Sequence, residues 1–396
     1  MFFCPPKGFF VFLYLIKIKT ILMRFTLSSS SLNGKLQILS RAISNKSSIT
    51  ILDCFLFEVT GNVLTVTASD SENVMTIKIE LEESDNDGAF AVTSRTILEA
   101  VKELPEQPLI FNVDTNNRSI EIIYQNGHYN LSAQNAEEYP KSRPMPDNAT
   151  SITMNGGMLF DEISRSQFAT AQDELHPVMN GIFFDITEEC MTVVATDGHK
   201  LVRSKNLIVK DNQPASFILP KKPATLLKSV LSKSAGDVTV IFSENSAEVR
   251  YESGILSCRL IEGRYPNYAS VIPTDNPNCL TVDRKGFMGA LRRVIPFASE
   301  SSQLIRLHLE DGNLALISED VDFATSAKEN IVCDYSGNRM DIGFKGSSLY
   351  DILSNIDSEE ITMRLADPSR AGVIVPTTQP ENEDVLMLIM PMLLND

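Results

Sequence analysis

The stretch VVATDGHKLVRS, residues 193–204, places Asp197, Gly198, His199 and Lys200 in four consecutive positions. A carboxylate beside an imidazole can work as a general base, and a neighbouring ammonium can steady a developing anion. Such a group also needs a nucleophile or a metal to act on a substrate. The chain has no G-x-S-x-G elbow, no G-x-x-x-x-G-K-[ST] loop and no repeated acidic box. Its four histidines, at 128, 176, 199 and 308, show no HxxxH spacing. Its six cysteines, at 4, 54, 190, 258, 279 and 333, show no C-x-x-C. No zinc site, disulfide framework or cofactor is therefore expected, and this cysteine usage suits a reducing cytoplasm. The competing reading is a turn, because Asp-Gly between MTVVAT and KLVRS is hairpin chemistry. A hydrolase built on Asp197 and His199 and a plain turn are thus the two alternatives at this level.

The elements that would hold this stretch recur along the chain. Three openings align: FTLSSSSLNGKLQILSRAIS from residue 25, ITMNGGMLFDEISRSQFATA from 152 and LTVDRKGFMGALRRVIPFAS from 280. Each is an alternating strand, a polar break, and apolar residues at helical spacing, as in Leu32, Leu36, Leu39 and Ile43. A strand–turn–strand follows in each case: CFLFEVTGNVLTVTASD, GIFFDITEECMTVVATD and IRLHLEDGNLALISED. FAVTSRTILEAVKEL, FILPKKPATLLKSVL and IGFKGSSLYDILSNI then restart the pattern. The sequence predicts an α+β protein of three similar domains, each strand–helix–three strands written twice. The expected divisions are 23–147, 148–274 and 275–396, with linkers rich in Pro, Asn and Asp near 143–151 and 271–278. Residues 1–22 do not fit the repeat. Their apolar run is too short to span a bilayer and is broken by Lys17 and Lys19, so a start codon assigned too early is expected.

A hydrophobic share of 43% with 22% charged residues is that of a soluble globular protein. The net charge of −16 falls to −19 once the three lysines of residues 1–22 are set aside. Taken whole, so acidic a chain would repel phosphate. The distribution says otherwise. Helix windows at 32–46, 94–104, 157–169, 221–233, 284–298 and 345–356 hold fifteen basic residues against five acids, leaving −29 for everything else. Basic helices on an acidic body suit a surface that tracks a phosphate backbone. No helix-turn-helix, zinc finger or aromatic stacking platform accompanies them, so contact independent of base sequence is expected.

With ATDGHKL (195–201), GRYPNY (263–268), MNGIFFD (179–185), MPM (390–392) and the threefold repeat together, residues 23–392 resemble the bacterial sliding clamps, the β subunits of DNA polymerase III holoenzyme. The resemblance implies a non-catalytic processivity factor in DNA replication. Two chains would close head-to-tail into a ring with the helices inside and duplex DNA through the hole. The implied partners are double-stranded DNA, a second copy of the chain, the replicative polymerase, the clamp loader and other proteins carrying the clamp-binding motif, in the cytoplasm and without membrane attachment. A β-rich surface or adhesion protein is the other non-enzymatic class.

Carried over residue by residue, the resemblance implies a peptide pocket lined by Met179, Thr196, Gly198, His199, Lys200, Leu201, Pro266, Val271, Leu388, Met390, Pro391 and Met392. A methionine-rich apolar cleft adapts to several related peptides, here of the Gln-Leu-Ser-Leu-Phe type. Leu388–Met392 also reads as a core strand. Lys46, Arg95, Arg165, Lys221 and Lys222 would face DNA, and Tyr129 and Leu131 would meet Phe297 of the second chain. The chain departs from the family at Ser270 and Leu393, where arginine is common, and in the loop DELHPVMNG (173–181), which lacks tyrosines.

Overall fold

The computed structural model describes residues 22–44, 49–141, 144–232 and 235–394. Six α-helices lie among them: α1 Ser29–Leu39, α2 Ser94–Lys102, α3 Gly156–Ser166, α4 Lys221–Val230, α5 Arg284–Val294 and α6 Gly346–Ser354. Three begin where an oxygen-bearing side chain accepts a first-turn amide: Ser28 for α1, Asn155 for α3 and Asp283 for α5. Their apolar residues fall on one face, as in Phe287, Ala290, Leu291 and Val294 of α5, all buried. Every helix ends earlier than its sequence window. Trimmed to these ends, the helices keep eleven basic residues against four acidic ones. Arg41 and Lys345 fall outside them, and Lys46 and Lys233 lie outside the described residues.

The strands follow the doubled pattern in all three repeats, and the helices of each repeat pack as a pair, α1 on α2, α3 on α4 and α5 on α6. The described chain forms two compact units. One runs to Pro144 and takes in Arg250–Cys258, which pair antiparallel with residues 73–77. Gly254 is required there, since a Cβ would lie 1.9 Å from the Thr76 carbonyl oxygen. Phe25, Phe57, Phe90 and Phe111 stack in this unit's core. Thr60-Gly61-Asn62 makes the hairpin expected of it, with Gly61 at φ +56°.

The other unit holds Met145–Val249 and Arg259–Asp396, so the second and third repeats share one body. They are joined through a nine-stranded sheet, in the order Ala215–Pro220, Gly181–Ile186, Met191–Thr196, Lys200–Asn206, Glu383–Ile389, Gly372–Pro376, Glu360–Leu365, Asn278–Asp283 and Asp334–Ser336. The weld is the pairing of Lys200–Asn206 with Glu383–Ile389, from Lys200 opposite Ile389 to Asn206 opposite Glu383. Ala195 and Val202 of the second repeat enter the same apolar cluster as Met387 and Ile389 of the third.

Candidate peptide groove and DNA-facing helices

Residues 196–200 form the tight turn between Met191–Thr196 and Lys200–Asn206. Gly198 takes φ +85°, open to glycine at no steric cost. The Asp197 carboxylate accepts the amides of His199 and Lys200, both at 2.9 Å, and the Lys200 ammonium at 2.6 Å. Burial alone would raise its pKa, but these donors outweigh burial and hold the group below the usual carboxylate range. Thr196 Oγ1 donates to the Lys200 carbonyl and accepts the Gly198 amide. The acid of the suspected catalytic trio is thus committed to shaping a turn.

Beside the turn lies an apolar cluster, where the resemblance expects a peptide groove. Its floor is Leu201 and Leu388, cross-strand neighbours that are 2% and 3% exposed, packed with Val194, Ile218, Tyr265 and Ala371. Val178, Phe183, Ile261, Tyr268 and Ile272 pack around them, half-buried. Phe183 and Tyr265 stack with ring centroids 4.7 Å apart and planes 5° off parallel. The chain leaves its last strand at Ile389, and the Met390 amide donates to the His199 carbonyl at 2.8 Å. Met392 donates to Gly343, which steers the tail across the third repeat. Met390 (39% exposed) and Val271 (54%) leave large apolar surface open, and His199 and Pro266 are exposed as well. Met179 follows Val178, and its carbonyl accepts the Ala171 amide. The stacked Phe183 and Tyr265 are the part of this cluster that sequence reasoning misses. Its signal is the two tyrosines of GRYPNY, a motif from which the resemblance points only to Pro266.

The expected DNA residues divide. Arg95 is exposed in the first turn of α2, and Lys221 and Lys222 open α4. Among the described residues no carboxylate pairs with Arg95 or Lys221. Lys46 is outside the described residues. Arg165 needs correction. Its guanidinium is held by Glu383 at 2.8 Å, Ser204 at 2.8 Å and Glu162 at 3.5 Å, with 13% of the side chain exposed. Glu162 is itself fully buried, and burial pushes its carboxyl up to about 7, against the opposing pull of Arg165. The guanidinium is thus engaged by interior groups, unlike the charged groups of the helix cations Arg95 and Lys221.

Two of the strands with an open edge carry the residues expected to meet a second chain. Gly127–Ser132 pairs with Ser119–Tyr124, and on the other side, among the described residues, only Ala133 and Gln134 of this strand are paired. Tyr129 and Leu131 sit on this stretch, half-buried, with Tyr129 against the Tyr124 ring. In the other unit, Thr325–Val332 pairs only with Asn313–Asp320 among the described residues. The short helical turn Ile295–Phe297 packs against that strand, and Phe297 is 41% exposed. None of the three is core.

Sequence models of the DNA polymerase III β subunit match the chain in all three repeats: its N-terminal domain at residues 23–143, its central domain at 153–267 and its C-terminal domain at 269–393. The chain belongs to the bacterial sliding clamps. The Pseudomonas putida KT2440 clamp is 25% identical over 371 residues, covering 93% of this chain and all of that one. The Halalkalibacterium halodurans clamp is 27% identical over 369 residues, covering 89% and 94%. Among solved structures, the Pseudomonas aeruginosa clamp bound to griselimycin gives a TM-score of 0.88 at 23% identity, covering 94% of this chain and all of that one. The Bartonella birtlesii clamp, also bound to griselimycin, gives 0.87 at 25% identity with the same coverage. The clamp is a non-catalytic processivity subunit in DNA replication that binds DNA, dimerises and engages the polymerase and other clamp-binding proteins. The adhesion and hydrolase alternatives find no support. Among the described residues, no helix is long and apolar enough to cross a membrane.

Proposed function

We propose that two copies of this clamp close head-to-tail, the open edge of Gly127–Gln134 in one meeting that of Thr325–Val332 in the other. Such a heterologous contact repeats once and closes, which gives a ring. Tyr129, Leu131 and Phe297 are its apolar residues. Arg95, Lys221 and Lys222 face the enclosed duplex, and a groove of Thr196, Gly198, His199, Lys200, Leu201, Leu388, Met390, Pro391 and Met392, with Met179, Pro266 and Val271, takes the peptide of the polymerase, the loader and other motif-bearing partners. The natural divisions of the chain are 23–147, 148–274 and 275–396, and it works in the cytoplasm.

One observation carries this reading. The helices hold cations without carboxylate partners, Arg95 and Lys221 among them, while the chain as a whole is at −16. Cations left unneutralised on an acidic protein are placed for an external polyanion. The test is retention after loading. Clamps loaded on closed circular duplex should stay through a high-salt wash and leave when one cut linearises the circle. Equal loss from both forms sinks the ring.

A further inference from the structure

Two adjacent arginines on α5 have different fates. Arg293 is bidentate on Glu329, at 2.7 to 3.0 Å, which neutralises it locally. Arg292 meets no carboxylate among the described residues. It lies over the Tyr350 ring of α6 instead, Cζ 5.1 Å from the centroid. Both Nε, at 2.7 Å, and Nη2 donate to the Tyr350 hydroxyl oxygen.

Donor counting decides what this arrangement offers. A guanidinium has five N–H bonds and no acceptor. Two are spent on the phenol oxygen, so three remain, including the Nη1/Nη2 pair. The phenol accepts through its oxygen and so keeps its own O–H to give. The dyad therefore presents only donors, a charged fork and a hydroxyl, which is the complement of a phosphate. Held by the Tyr350 hydroxyl, the guanidinium has less rotamer freedom to lose on binding than a lone surface arginine. Lys285, seven residues earlier, is on the same side of α5 about 10 Å away, exposed, and likewise without a carboxylate partner among the described residues. Between them lies Gly289, where Arg293 Nη1 comes within 3.4 Å of the position a Cβ would take.

We propose that Tyr350 is a positioning residue that holds the Arg292 guanidinium as a clamp on a DNA backbone phosphate, with Lys285 on a neighbouring phosphate. This rests on the reading that duplex DNA meets the helices, and it adds a contact in the third repeat to those on α2 and α4.

The test is a salt titration of full-length clamp binding to a short fluorescein-labelled duplex, followed by anisotropy. Each lost phosphate contact lowers the slope of log K against log salt by about 1. Arg292→Ala should lower the slope by that amount. Arg292→Lys and Tyr350→Phe keep the charge, so both should keep the slope while weakening binding about fivefold at every salt concentration, the scale of a lost hydrogen bond. A purely structural role for Tyr350 would shift the melting temperature and leave both readouts where they were, and that result overturns the proposal. Lys221→Glu with Lys222→Glu separates the failures. If this double variant weakens binding while the Arg292 and Tyr350 variants do not, the clamp on α5 is wrong and the DNA-facing helices stand. If none of the variants alters binding, both fall.

Discussion

The Met390 amide is hydrogen-bonded to the His199 carbonyl at 2.8 Å, one residue beyond the last strand pair, Lys200 with Ile389. This bond ties the C-terminal tail to the turn, joining segments almost two hundred residues apart.

Truncation after Ile389 keeps the whole strand pair and the Leu201–Leu388 floor, and removes only the tail beyond it. It should leave the fold and the dimer intact while weakening a labelled Gln-Leu-Ser-Leu-Phe-type peptide by tenfold or more in anisotropy, since a central apolar anchor contributes about 2 kcal/mol or more. Cutting before Leu388 is a poorer experiment, because that residue is core. Unchanged peptide affinity in the shorter protein would remove the tail from the site.

Phe297→Asp introduces a charge at the edge proposed to close the ring. The variant should sediment as a monomer at micromolar concentration with an unchanged melting temperature, because Phe297 is already 41% exposed in the single chain. A dimer of wild-type affinity would exclude this surface.

Gly198→Ala puts a Cβ on a residue at φ +85°, although nothing lies within 4 Å of that position. The cost is therefore conformational, about 1–2 kcal/mol, and not steric. Because Thr196, Asp197 and Lys200 all bond across this turn, peptide affinity should fall together with stability. Denaturant melts that match the wild type would show the turn to be slack.

The Glu162 carboxyl has a folded pKa raised to about 7, above its unfolded value, through burial. The folded protein therefore holds a proton that the unfolded chain releases, and stability should fall as pH rises from about 5 to 8. Glu162→Gln should flatten that limb. A wild-type melting temperature that climbs over this range, or a slope the variant leaves untouched, would refute the assignment.

What is legible in the sequence follows from how local each signal is. Hairpin chemistry at Asp197-Gly198 and Gly61-Asn62, and the 3–4 spacing of leucines in α1, are decided by a few neighbouring residues, and they read correctly. Helix ends depend on caps and on where packing stops, so windows drawn from apolar spacing run past Leu39, Lys102 and Ser354. In the sequence Arg165 looks like any other helix cation. Only the pairing of Lys200–Asn206 with Glu383–Ile389, distant in sequence, brings Ser204 and Glu383 onto it. The stacked ring pair escapes for the same reason, since Tyr265 meets Phe183 across some eighty residues.

The weld between the second and third repeats also has a mechanical side. Lys200–Asn206 and Glu383–Ile389 pair along seven consecutive positions, and the groove lies where that ladder ends. Ladder bonds in an antiparallel pair run across the strands. If the polymerase's peptide binds there as proposed, a pull on the tail along Glu383–Ile389 would meet those bonds in shear and spread over the row. Pulled sideways, the same row would unzip rung by rung. The proposed binding site thus sits at the end of the strand best able to serve as a tow-line.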